Sequence, residues 1–462
     1  MMETPHLEER IVARGKDFLT RIERKKSSIF NRERWVDKMM DWTMSREDLK
    51  IEVFTLIDNL PHLTTEQMLY RHIQQSFLRP EVLPGMLRLG VRIAGLLGKP
   101  GRKILSGIVR RSVKMVALQF IVGSEVDTTV GKLHELREKD GFAFTLDVLG
   151  EETVSEKEVN SYIQSYLRLL AALSEAQRNW KSLGEGNSKL DWGSAPKVNI
   201  SVKPSALYSR ANPDHFEDTV EHMLEQLKRI YRSVVELGAF MCIDAETRRY
   251  REVTFELYRR LRIDSEFRGY PHLGLTMQAY FKDSDKELDK LLTWARRETV
   301  PISIRLVKGA YWDQEVAVAK EKNVPIPVYT VKAETDMAFE RAAEKILNNQ
   351  DICHLACASH NIRSICSVLE LAHSLNVPAD RYEFQVLYGA ADAFRRTLLE
   401  MTGRVRLYCP YGQLLSGIAY LVRRLLENTS NESFMRLNFD ERIDADRLLE
   451  NPVVTLERMP AR

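Results

Sequence analysis

One stretch of the sequence decides the fold: Ile302-Ser-Ile-Arg-Leu-Val-Lys-Gly-Ala-Tyr-Trp-Asp313. Apolar and β-branched residues dominate its first half, which predicts a β-strand over Ile302–Val307 with Arg305 and Val307 on the same face. Gly309 follows, and a residue without a Cβ allows the backbone to approach a ligand closely. We therefore expect a buried strand whose carboxyl end carries functional groups.

Seven further runs of the same kind flank this stretch, and amphipathic helices separate most of them. In the clearest helix, apolar side chains recur every three or four residues between residues 216 and 234. Strands that alternate with helices form βαβ units, and eight units over about 290 residues favour an α/β fold with a closed (β/α)8 barrel. An open doubly wound sheet is the alternative. The eight predicted strands are Phe142–Val148, Val198–Val202, Ala239–Ile243, Gly274–Ala279, Ile302–Val307, His354–Ser359, Glu383–Leu387 and Val405–Cys409.

Helical periodicity without a strand signal predicts a helical N-terminal domain over residues 1–135, ahead of the barrel at 136–440 and a tail or linker at 441–462. Within residues 81–120, eight basic side chains stand against one acid, Glu81. The favoured interpretation is a helical pair with solvated Lys and Arg, and the alternative is a segment that lies on an anionic membrane surface. The basic residues are Arg88, Arg92, Lys99, Arg102, Lys103, Arg110, Arg111 and Lys114.

The composition excludes several classes of protein. Among the 462 residues, 68 Lys and Arg oppose 65 Asp and Glu, and the net charge of +3 argues against nucleic acid as a partner. No run of about 18 uncharged apolar residues exists, so no segment is expected to span a membrane. Five cysteines and a charged start without an apolar core indicate reduced thiols and a cytoplasmic location.

The barrel prediction also locates the functional site, because active sites of such barrels lie at the carboxyl ends of the strands. Charged or hydrogen-bonding residues follow nearly every predicted strand. They are Asp147 and Glu151, Lys203, Asp244 and Glu246, Gln278 and Tyr280, Arg305 and Lys308, Ser359 and His360, Tyr388, and Tyr408.

The motifs of several common sites are missing. Neither G-x-G-x-x-G nor a P-loop nor a nucleophile elbow is present, which argues against a Rossmann dinucleotide site, a Walker NTPase and an α/β-hydrolase. Cys353-x3-Cys357-x2-His360 has the residue types of a metal site, but no second ligand pair is near, so we expect no metal.

Two sets of basic residues have alternative interpretations. Lys203 or Lys308 could form a Schiff base in an aldolase or lyase, or both could anchor an anionic ligand together with Arg305. Arg423 and Arg424, on the last helix after residue 412, lie on a polar stripe that fits a solvated face. The alternative is a carboxylate clamp, since each guanidinium can grip a carboxylate with two hydrogen bonds.

Three segments together resemble the proline dehydrogenase family: Arg305-Leu-Val-Lys-Gly-Ala-Tyr-Trp-Asp313, Ile243-Asp-Ala-Glu246 and Tyr420-Leu-Val-Arg-Arg-Leu-Leu-Glu427. The sequence is most similar to the proline dehydrogenase part of the bacterial bifunctional proline-utilisation flavoenzymes. The resemblance extends over about residues 20–440, and the order of the motifs matches the order of the predicted strands.

The resemblance implies a distorted (β/α)8 barrel that binds FAD noncovalently and L-proline, with the last helix as a lid over the barrel mouth. It implies catalytic roles for Asp244 and Arg305, with Arg305 beside the flavin N5, and a gate at Glu151, which pairs with Arg423 when the site is empty. The implied substrate-binding residues are Lys203, Tyr311, Tyr408, Tyr420, Arg423 and Arg424. The implied cofactor-binding residues are Ala245, Gln278, Arg305, Lys308, Gly309, Ala310, Lys332, Ser359 and His360.

The implied reaction transfers a hydride from proline C5 to the flavin N5 and yields Δ1-pyrroline-5-carboxylate, the first step of proline catabolism to glutamate. A membrane quinone would reoxidise the flavin, which strengthens the membrane interpretation of residues 81–120. Bifunctional members continue into an aldehyde dehydrogenase domain, for which the sequence up to Arg462 leaves no room. We therefore expect either a stand-alone enzyme or a piece of a longer chain. The ribbon-helix-helix module of some members is not recognisable, so we expect no DNA binding.

Overall fold

Eight parallel strands close into a barrel in the computed structural model, which describes residues 4–28, 46–60, 62–150, 152–185, 189–413 and 445–459. Around the barrel the strands follow the order β1-β10-β9-β8-β7-β6-β5-β4, and β4 pairs with β1 to close it. The strands β2 and β3 form a separate antiparallel pair. The bounds are β1 Ala143–Val148, β2 Leu190–Asp191, β3 Ala195–Pro196, β4 Asn199–Val202, β5 Phe240–Ile243, β6 Leu273–Gln278, β7 Ile302–Val307, β8 Cys353–Ala358, β9 Tyr382–Leu387 and β10 Val405–Tyr411.

The eight predicted strands are confirmed, each within one or two residues at its ends, and the closed barrel is confirmed over the open sheet. Helices fill the connections and the N-terminal region. Those described are α1 Thr4–Ser28, α2 Glu47–Asn59, α3 Glu66–Ser76, α4 Gly85–Leu96, α5 Gly98–Phe120, α6 Val126–Glu138, α7 Glu156–Ala176, α8 Phe216–Leu237, α9 Arg248–Ile263, α10 Ser284–Glu298, α11 Trp312–Glu321, α12 Lys332–Asn348, α13 Ile362–Ser374, α14 Asp392–Thr402, α15 Ala445–Leu448 and α16 Pro452–Glu457.

The two faces of the barrel sheet differ in chemistry. Successive side chains of a strand point to opposite faces, so one set meets the helices and the other meets the barrel axis. In β7, Ile304 and Leu306 join the hydrophobic core that the sheet shares with the helices, whereas Ser303 and Arg305 line the interior. Barrels of this class are usually filled by branched aliphatic side chains. A polar interior is therefore the feature of this fold that needs a functional explanation.

The N-terminal region is helical, as predicted, and it packs in two parts. Ile11 and Phe18 of α1 belong to the hydrophobic core of the barrel, and the Phe18 and Phe394 rings lie 5.2 Å apart. Residues 49–120 instead build a second hydrophobic core around Leu69 and Ile73 of α3. The helix α1 is thus fastened to the barrel, while α2–α5 form a smaller helical cluster.

The C-terminal segment 445–459 packs beside α1. Leu449 is fully buried, and its side chain occupies the space next to Gly15 that a Cβ would need. Arg363 of α13 donates to Glu8 Oε1 at 2.6 Å and to the Leu449 carbonyl at 2.8 Å. One buried guanidinium therefore ties the first helix, the barrel and the C-terminal segment together.

The proposed lid helix falls in residues 414–444, outside the described residues. Among the helices that the structure describes, none has a stretch long and apolar enough to cross a bilayer.

Candidate active site

A cavity of about 930 Å³, including its open mouth, lies at the carboxyl ends of the barrel strands. Twelve of the residues that the sequence and the resemblance select line it together, although they come from six strands and the segments that follow them. They are Lys203, Asp244, Ala245, Gln278, Arg305, Lys308, Gly309, Ala310, Tyr311, Ser359, His360 and Tyr408.

Arg305 and Asp244 form the centre of the cavity floor. Arg305 Nη1 donates to Asp244 Oδ1 at 2.6 Å, and Tyr408 OH donates to Asp244 Oδ2 at 2.6 Å. Thr276 Oγ1 lies 3.2 Å from Asp244 Oδ1, and the guanidinium carbon of Arg305 lies 5.3 Å from the centre of the Tyr408 ring. Both carboxylate oxygens are thus hydrogen-bonded, and the phenol is held against the guanidinium.

Lys203 follows β4 and forms a buried ion pair with Asp147 of β1. Burial raises the pKa of Asp147; the Lys203 ammonium opposes this shift, and the nearby Asp244 adds to it. The backbone N–H of Lys203 also donates to Tyr162 OH at 3.0 Å, which fixes the start of the segment after the strand. The Lys203 ammonium is therefore a positive charge at the cavity wall whose position is fixed by its ion pair.

A second cluster of cations surrounds Asp336 of α12. Lys308 pairs with Asp336 Oδ1, and Lys332 Nζ lies 2.6 Å from Asp336 Oδ2. Burial lowers the pKa of Lys308, and Asp336 opposes that shift. Lys308 also lies 5.7 Å from the centre of the Phe339 ring. Lys332 is not among the residues that line the cavity, but Asp336 links it to Lys308, which is.

The loop after β7 depends on glycine. Gly309 has φ +139°, and a Cβ there would lie 2.5 Å from atoms of the Tyr280 ring, so a larger residue is excluded by both conformation and space. Tyr311 ends this loop as the residue before α11, and it lines the cavity.

Ser359 and His360 follow β8, the strand that pairs with β7. Ser359 Oγ accepts from the Asn361 N–H at 3.1 Å, and Asn361 in turn caps α13. His360 Nε2 accepts from the Leu387 N–H at 3.0 Å, which leaves the ring proton on Nδ1. Local hydrogen bonds thus fix both side chains before any ligand binds.

Four of the selected residues lie outside the described residues: Glu151, Tyr420, Arg423 and Arg424. Their roles as gate and substrate-binding groups stay predictions.

The structure also brings residues to the site that the sequence did not single out. Ser201, Thr276 and Gln385 contact Arg305 or Asp244, and Asp336 holds Lys308. The sequence contains a signal for three of them, because each lies two residues before or after another polar residue on its strand. This period of two is seen at Asn199 and Ser201 of β4 and continues to Lys203, which follows that strand. It is also seen at Glu383 and Gln385 of β9.

The cavity fits FAD in the chemistry of its walls. FAD carries two phosphate charges and a flavin ring with several hydrogen-bond acceptors, so it needs cations and N–H or O–H donors. Lys203, Arg305 and Lys308 line the cavity, and among the described lining residues Asp244 is the one carboxylate. Arg305 and Tyr408 hold that carboxylate, and Asp147 pairs with Lys203. Lys308 and Lys332 share the single carboxylate of Asp336, so the surplus positive charge for an anionic ligand lies at that cluster.

Comparison with known proteins shows the family of this chain. The family model described as proline dehydrogenase matches residues 130–437, and the model described as the proline utilization A N-terminal domain matches residues 8–120. This chain belongs to the proline dehydrogenase family. The resemblance read from the sequence is confirmed, and the matched span includes the whole barrel.

Individual relatives of the proline dehydrogenase family vary in length. The bifunctional protein PutA of Escherichia coli (strain K12) is 30% identical over 374 residues, which are 79% of this chain and 27% of that protein. A proline dehydrogenase of Deinococcus radiodurans is 27% identical over 328 residues, which are 71% of this chain and 91% of that protein.

A solved structure of proline utilization A from Bdellovibrio bacteriovorus, inactivated by N-propargylglycine, matches with a TM-score of 0.85 and 34% identity. The match covers 97% of this chain and 44% of that one. The chain therefore spans about a quarter of the length of the E. coli relative and under half of the Bdellovibrio structure.

Proposed function

We propose that the chain oxidises L-proline to Δ1-pyrroline-5-carboxylate with FAD as its bound cofactor. The observation that carries the proposal is the convergence of twelve selected residues on one cavity at the active end of the barrel. Membership of the proline dehydrogenase family supports the same reaction.

Lys203 would bind the carboxylate of proline. Its ammonium is buried and already paired with Asp147, so it is oriented before the substrate arrives. A charge-assisted hydrogen bond in a buried site is stronger than a neutral one, and an ammonium carries three N–H donors. Arg423 and Arg424 would complete the clamp from the predicted lid helix.

Tyr408 and Asp244 would shape the pocket for the ring of the substrate. The phenol is held at one end by Asp244 and across its face by Arg305, so its position in the pocket is well defined. A fixed, bulky ring close to the substrate would favour the five-membered ring of proline over a ring with an added hydroxyl.

When bound, FAD supplies the acceptor for the hydride that leaves C5 of proline, and a quinone takes up the electrons afterwards. The residues that would hold FAD through their side chains are Arg305, Lys308, Gln278, Ser359 and His360. Contacts through the backbone would come from Ala245, Gly309 and Ala310. Lys332 would act through the charge that it shares with Asp336. The Arg305 cation would favour the negative charge that the cofactor gains.

Helices α4 and α5 would provide the contact with the membrane that holds the quinone. Large apolar side chains are exposed there beside basic ones, including Met86 and Leu96, each 87% exposed. Arg92, Lys99 and Lys103 are exposed, whereas Arg102 and Arg110 point back to Gln67 and the Leu63 carbonyl. Exposed apolar and basic groups on one surface fit an anionic bilayer interface.

A visible spectrum tests the proposed reaction. We expect purified protein, or protein loaded with FAD, to be yellow and to bleach when proline is added without oxygen. Failure to bind FAD would overturn the cofactor assignment, and bound FAD that proline does not bleach would overturn the substrate. Reductive trapping of a carbonyl substrate on Lys203 or Lys308 would support the Schiff-base alternative instead. The ion pairs of both lysines with carboxylates give that alternative no support.

Vesicle flotation tests the membrane contact. Protein with reduced FAD should float with vesicles of anionic lipid and should lose this binding when Arg92, Lys99, Lys103, Arg111 and Lys114 are changed to Gln. Equal flotation with neutral vesicles, or no effect of the five changes, would contradict the contact.

A further inference from the structure

A second cavity opens at the other end of the barrel, at the amino ends of the strands. It encloses about 920 Å³ including its mouth, and its walls carry Asn199, His272, His354, Glu383 and Arg406. Two residues, Arg305 and Gln385, line both this cavity and the active-site cavity. Since this end of such barrels usually serves stability alone, its polar groups call for an explanation.

A continuous chain of hydrogen bonds connects the two cavities. Arg406 grips Glu383 with two bonds, from Nε to Oε1 at 2.7 Å and from Nη2 to Oε2 at 2.9 Å. Gln385 Nε2 donates to Glu383 Oε1 at 2.6 Å, and Arg305 Nε donates to Gln385 Oε1 at 2.7 Å. All four residues are buried, with at most 5% of the surface of each exposed. We name Arg406, Glu383, Gln385 and Arg305 the axial relay.

The relay has one direction, and the ionised carboxylate of Glu383 and the donor-only guanidinium of Arg305 both impose it. An amide can offer either its oxygen or its nitrogen, whereas a carboxylate only accepts. The ionised Glu383 therefore binds the NH2 group of Gln385 and turns the amide oxygen towards Arg305. Burial would raise the pKa of Glu383, but Arg406 outweighs it and holds the pKa at about 2, so the carboxylate stays ionised at neutral pH.

The relay determines which edge of Arg305 faces the active site. Nε is used by Gln385, and Nη1 is used by Ser201 at 2.7 Å and by Asp244. Among the described residues, Nη2 has no hydrogen-bond partner. A planar guanidinium fixed at two of its nitrogens presents the third in one orientation, so Gln385 and Glu383 hold the donor that a ligand in the cavity would meet.

We propose that Glu383 and Gln385 are positioning residues for Arg305, so that a charge at the far end of the barrel sets the geometry of the active-site guanidinium. This inference rests on the proposed function, because it assumes that Arg305 lies beside the bound flavin. It adds to that function a control over Arg305 that extends through the barrel axis.

A purely structural role for the Glu383 ion pair is the competing explanation, and the chain offers a matched control. Arg137 and Asp191 form a pair of the same kind, with two hydrogen bonds of 2.7 Å and both side chains fully buried. This pair lies outside the barrel axis and does not line the active-site cavity. Asp191→Asn therefore measures the effect of weakening a buried ion pair without touching the relay.

The experiment compares Glu383→Gln with Asp191→Asn in the FAD-loaded protein. Both should lower Tm. Glu383→Gln alone should lower kcat with proline about tenfold, which corresponds to about 1.4 kcal/mol, because the charged acceptor that holds the Gln385 amide is lost. KM should stay within about twofold, because Lys203 is untouched. The reduction potential of the bound flavin, measured without proline, should become more negative, because Arg305 would stabilise the reduced form less. Equal effects of the two variants on kcat and potential would overturn the proposal.

A swap of the two side chains provides the rescue. In the double variant Glu383→Gln with Gln385→Glu, the carboxylate at 385 accepts from Arg305 and from the new amide at 383, whose oxygen accepts from Arg406. Net charge and volume are unchanged, so folding should be retained. We expect kcat to return to within about threefold of its value in the unaltered protein. The flavin potential should return close to its starting value. A swap that folds but stays as impaired as Glu383→Gln would contradict the relay.

Gln385→Met covers the case in which Glu383→Gln does not fold, because it leaves the Glu383–Arg406 pair intact and removes only the link to Arg305. It should reproduce the kinetic and potential changes with a smaller loss of Tm, and unchanged values would also overturn the proposal. If the unaltered protein binds FAD but does not oxidise proline, the proposed function fails, while the flavin potentials still decide the role of the relay.

Discussion

The two mouths of the barrel use the same chemical groups in opposite ways. At the carboxyl end, the buried Asp147 has a raised pKa, because burial and Asp244 outweigh its one ammonium partner, Lys203. At the amino end, the equally buried Glu383 has a pKa of about 2, because a bidentate arginine and an amide satisfy it. Groups with perturbed pKa values cluster at functional sites. The carboxyl end of the barrel therefore holds a buried carboxylate that its partners do not fully stabilise, whereas the amino end holds one that its partners do stabilise.

The positive groups differ in the same sense. Lys203 and Lys308 line the active-site cavity, and each pairs with one oxygen of a carboxylate, Asp147 Oδ1 and Asp336 Oδ1. Arg406 at the amino end uses Nε and Nη2 for Glu383 and Nη1 for the Phe144 carbonyl at 2.9 Å. A guanidinium engaged at all three nitrogens holds its partners in fixed positions, whereas each ammonium meets its carboxylate at a single oxygen.

The largest expected effect is on stability, and it differs between the two buried carboxylates, Glu383 and Asp147. Because the pKa of Glu383 is lowered from an ordinary value of 4.5 to about 2, its ionised form should contribute about 3 kcal/mol to the free energy of unfolding at pH 7. This contribution is present above the pKa of the unfolded state and is lost as pH falls through the folded pKa. Glu383→Gln should therefore destabilise the protein at pH 7, with a difference from the unaltered protein that shrinks between about pH 4.5 and 2.

Asp147→Asn should have a much smaller effect at pH 7, because the raised pKa of Asp147 means that its ionised form is disfavoured by the fold. Urea unfolding of both variants across the pH range measures the contrast. Equal losses of stability would show that the two carboxylates do not differ as described.

The second prediction asks whether ligand binding is confined to the carboxyl end. Lys203→Met should raise KM for proline about 30- to 150-fold, since a buried charge-assisted contact of about 2–3 kcal/mol is lost. Arg381→Met removes an exposed cation that lines the other cavity, and it should leave KM unchanged. Steady-state kinetics with FAD titration measures KM for both variants. A raised KM in Arg381→Met would show that ligand binding is not confined to the carboxyl end of the barrel.

The third prediction concerns the loop that the carboxyl mouth needs. Gly309→Ala should weaken FAD binding by about 1–3 kcal/mol, because the new Cβ meets Tyr280 in a backbone conformation that only glycine adopts readily. Gly238→Ala provides the control. Gly238 also has a positive φ, at +68°, but no atom lies within 4 Å of the position of its Cβ. Fluorescence titration of FAD should show a normal affinity for the control variant.

The smallest expected effect is on specificity. If Tyr408 limits the space around the substrate ring, kcat/KM for 4-hydroxyproline should be about tenfold or more below that for proline, which corresponds to about 1.4 kcal/mol. Tyr408→Ser should narrow this difference by opening the pocket. Similar values for the two substrates in the unaltered protein would show that Tyr408 does not face the substrate ring as proposed.

Much of this architecture could be read from the chain. Each strand is a short apolar run between helices, and polar residues lie at or just after the end of nearly every strand, so the eight strands and the active end of the barrel followed from local pattern. Lys203, Asp244 and Arg305 were found because strand ends of a barrel converge. Glycine at 309 stood out since its loop joins a strand to a helix within four residues of sequence.

The partners of these residues could not be read in the same way. Arg305 meets Gln385 across 80 residues of sequence and Ser201 across 104, and no local pattern encodes such a pairing. Asp336 belongs to a helix, where a polar residue usually faces solvent, yet it lies between Lys308 and Lys332. The packing of segment 445–459 against α1 likewise depends on Arg363, which is one of many arginines in the sequence.

The sequence by itself determined the order of the strands, the helical N-terminal region and the residue types at the active end, because hydrophobic periodicity and strand ends are local properties. The tertiary structure alone decided that the barrel interior is polar and that Arg406, Glu383, Gln385 and Arg305 meet in a single chain of hydrogen bonds. Closure of the sheet is the physical reason. It turns every second side chain of eight distant strands towards one axis, where buried polar groups must find partners in each other.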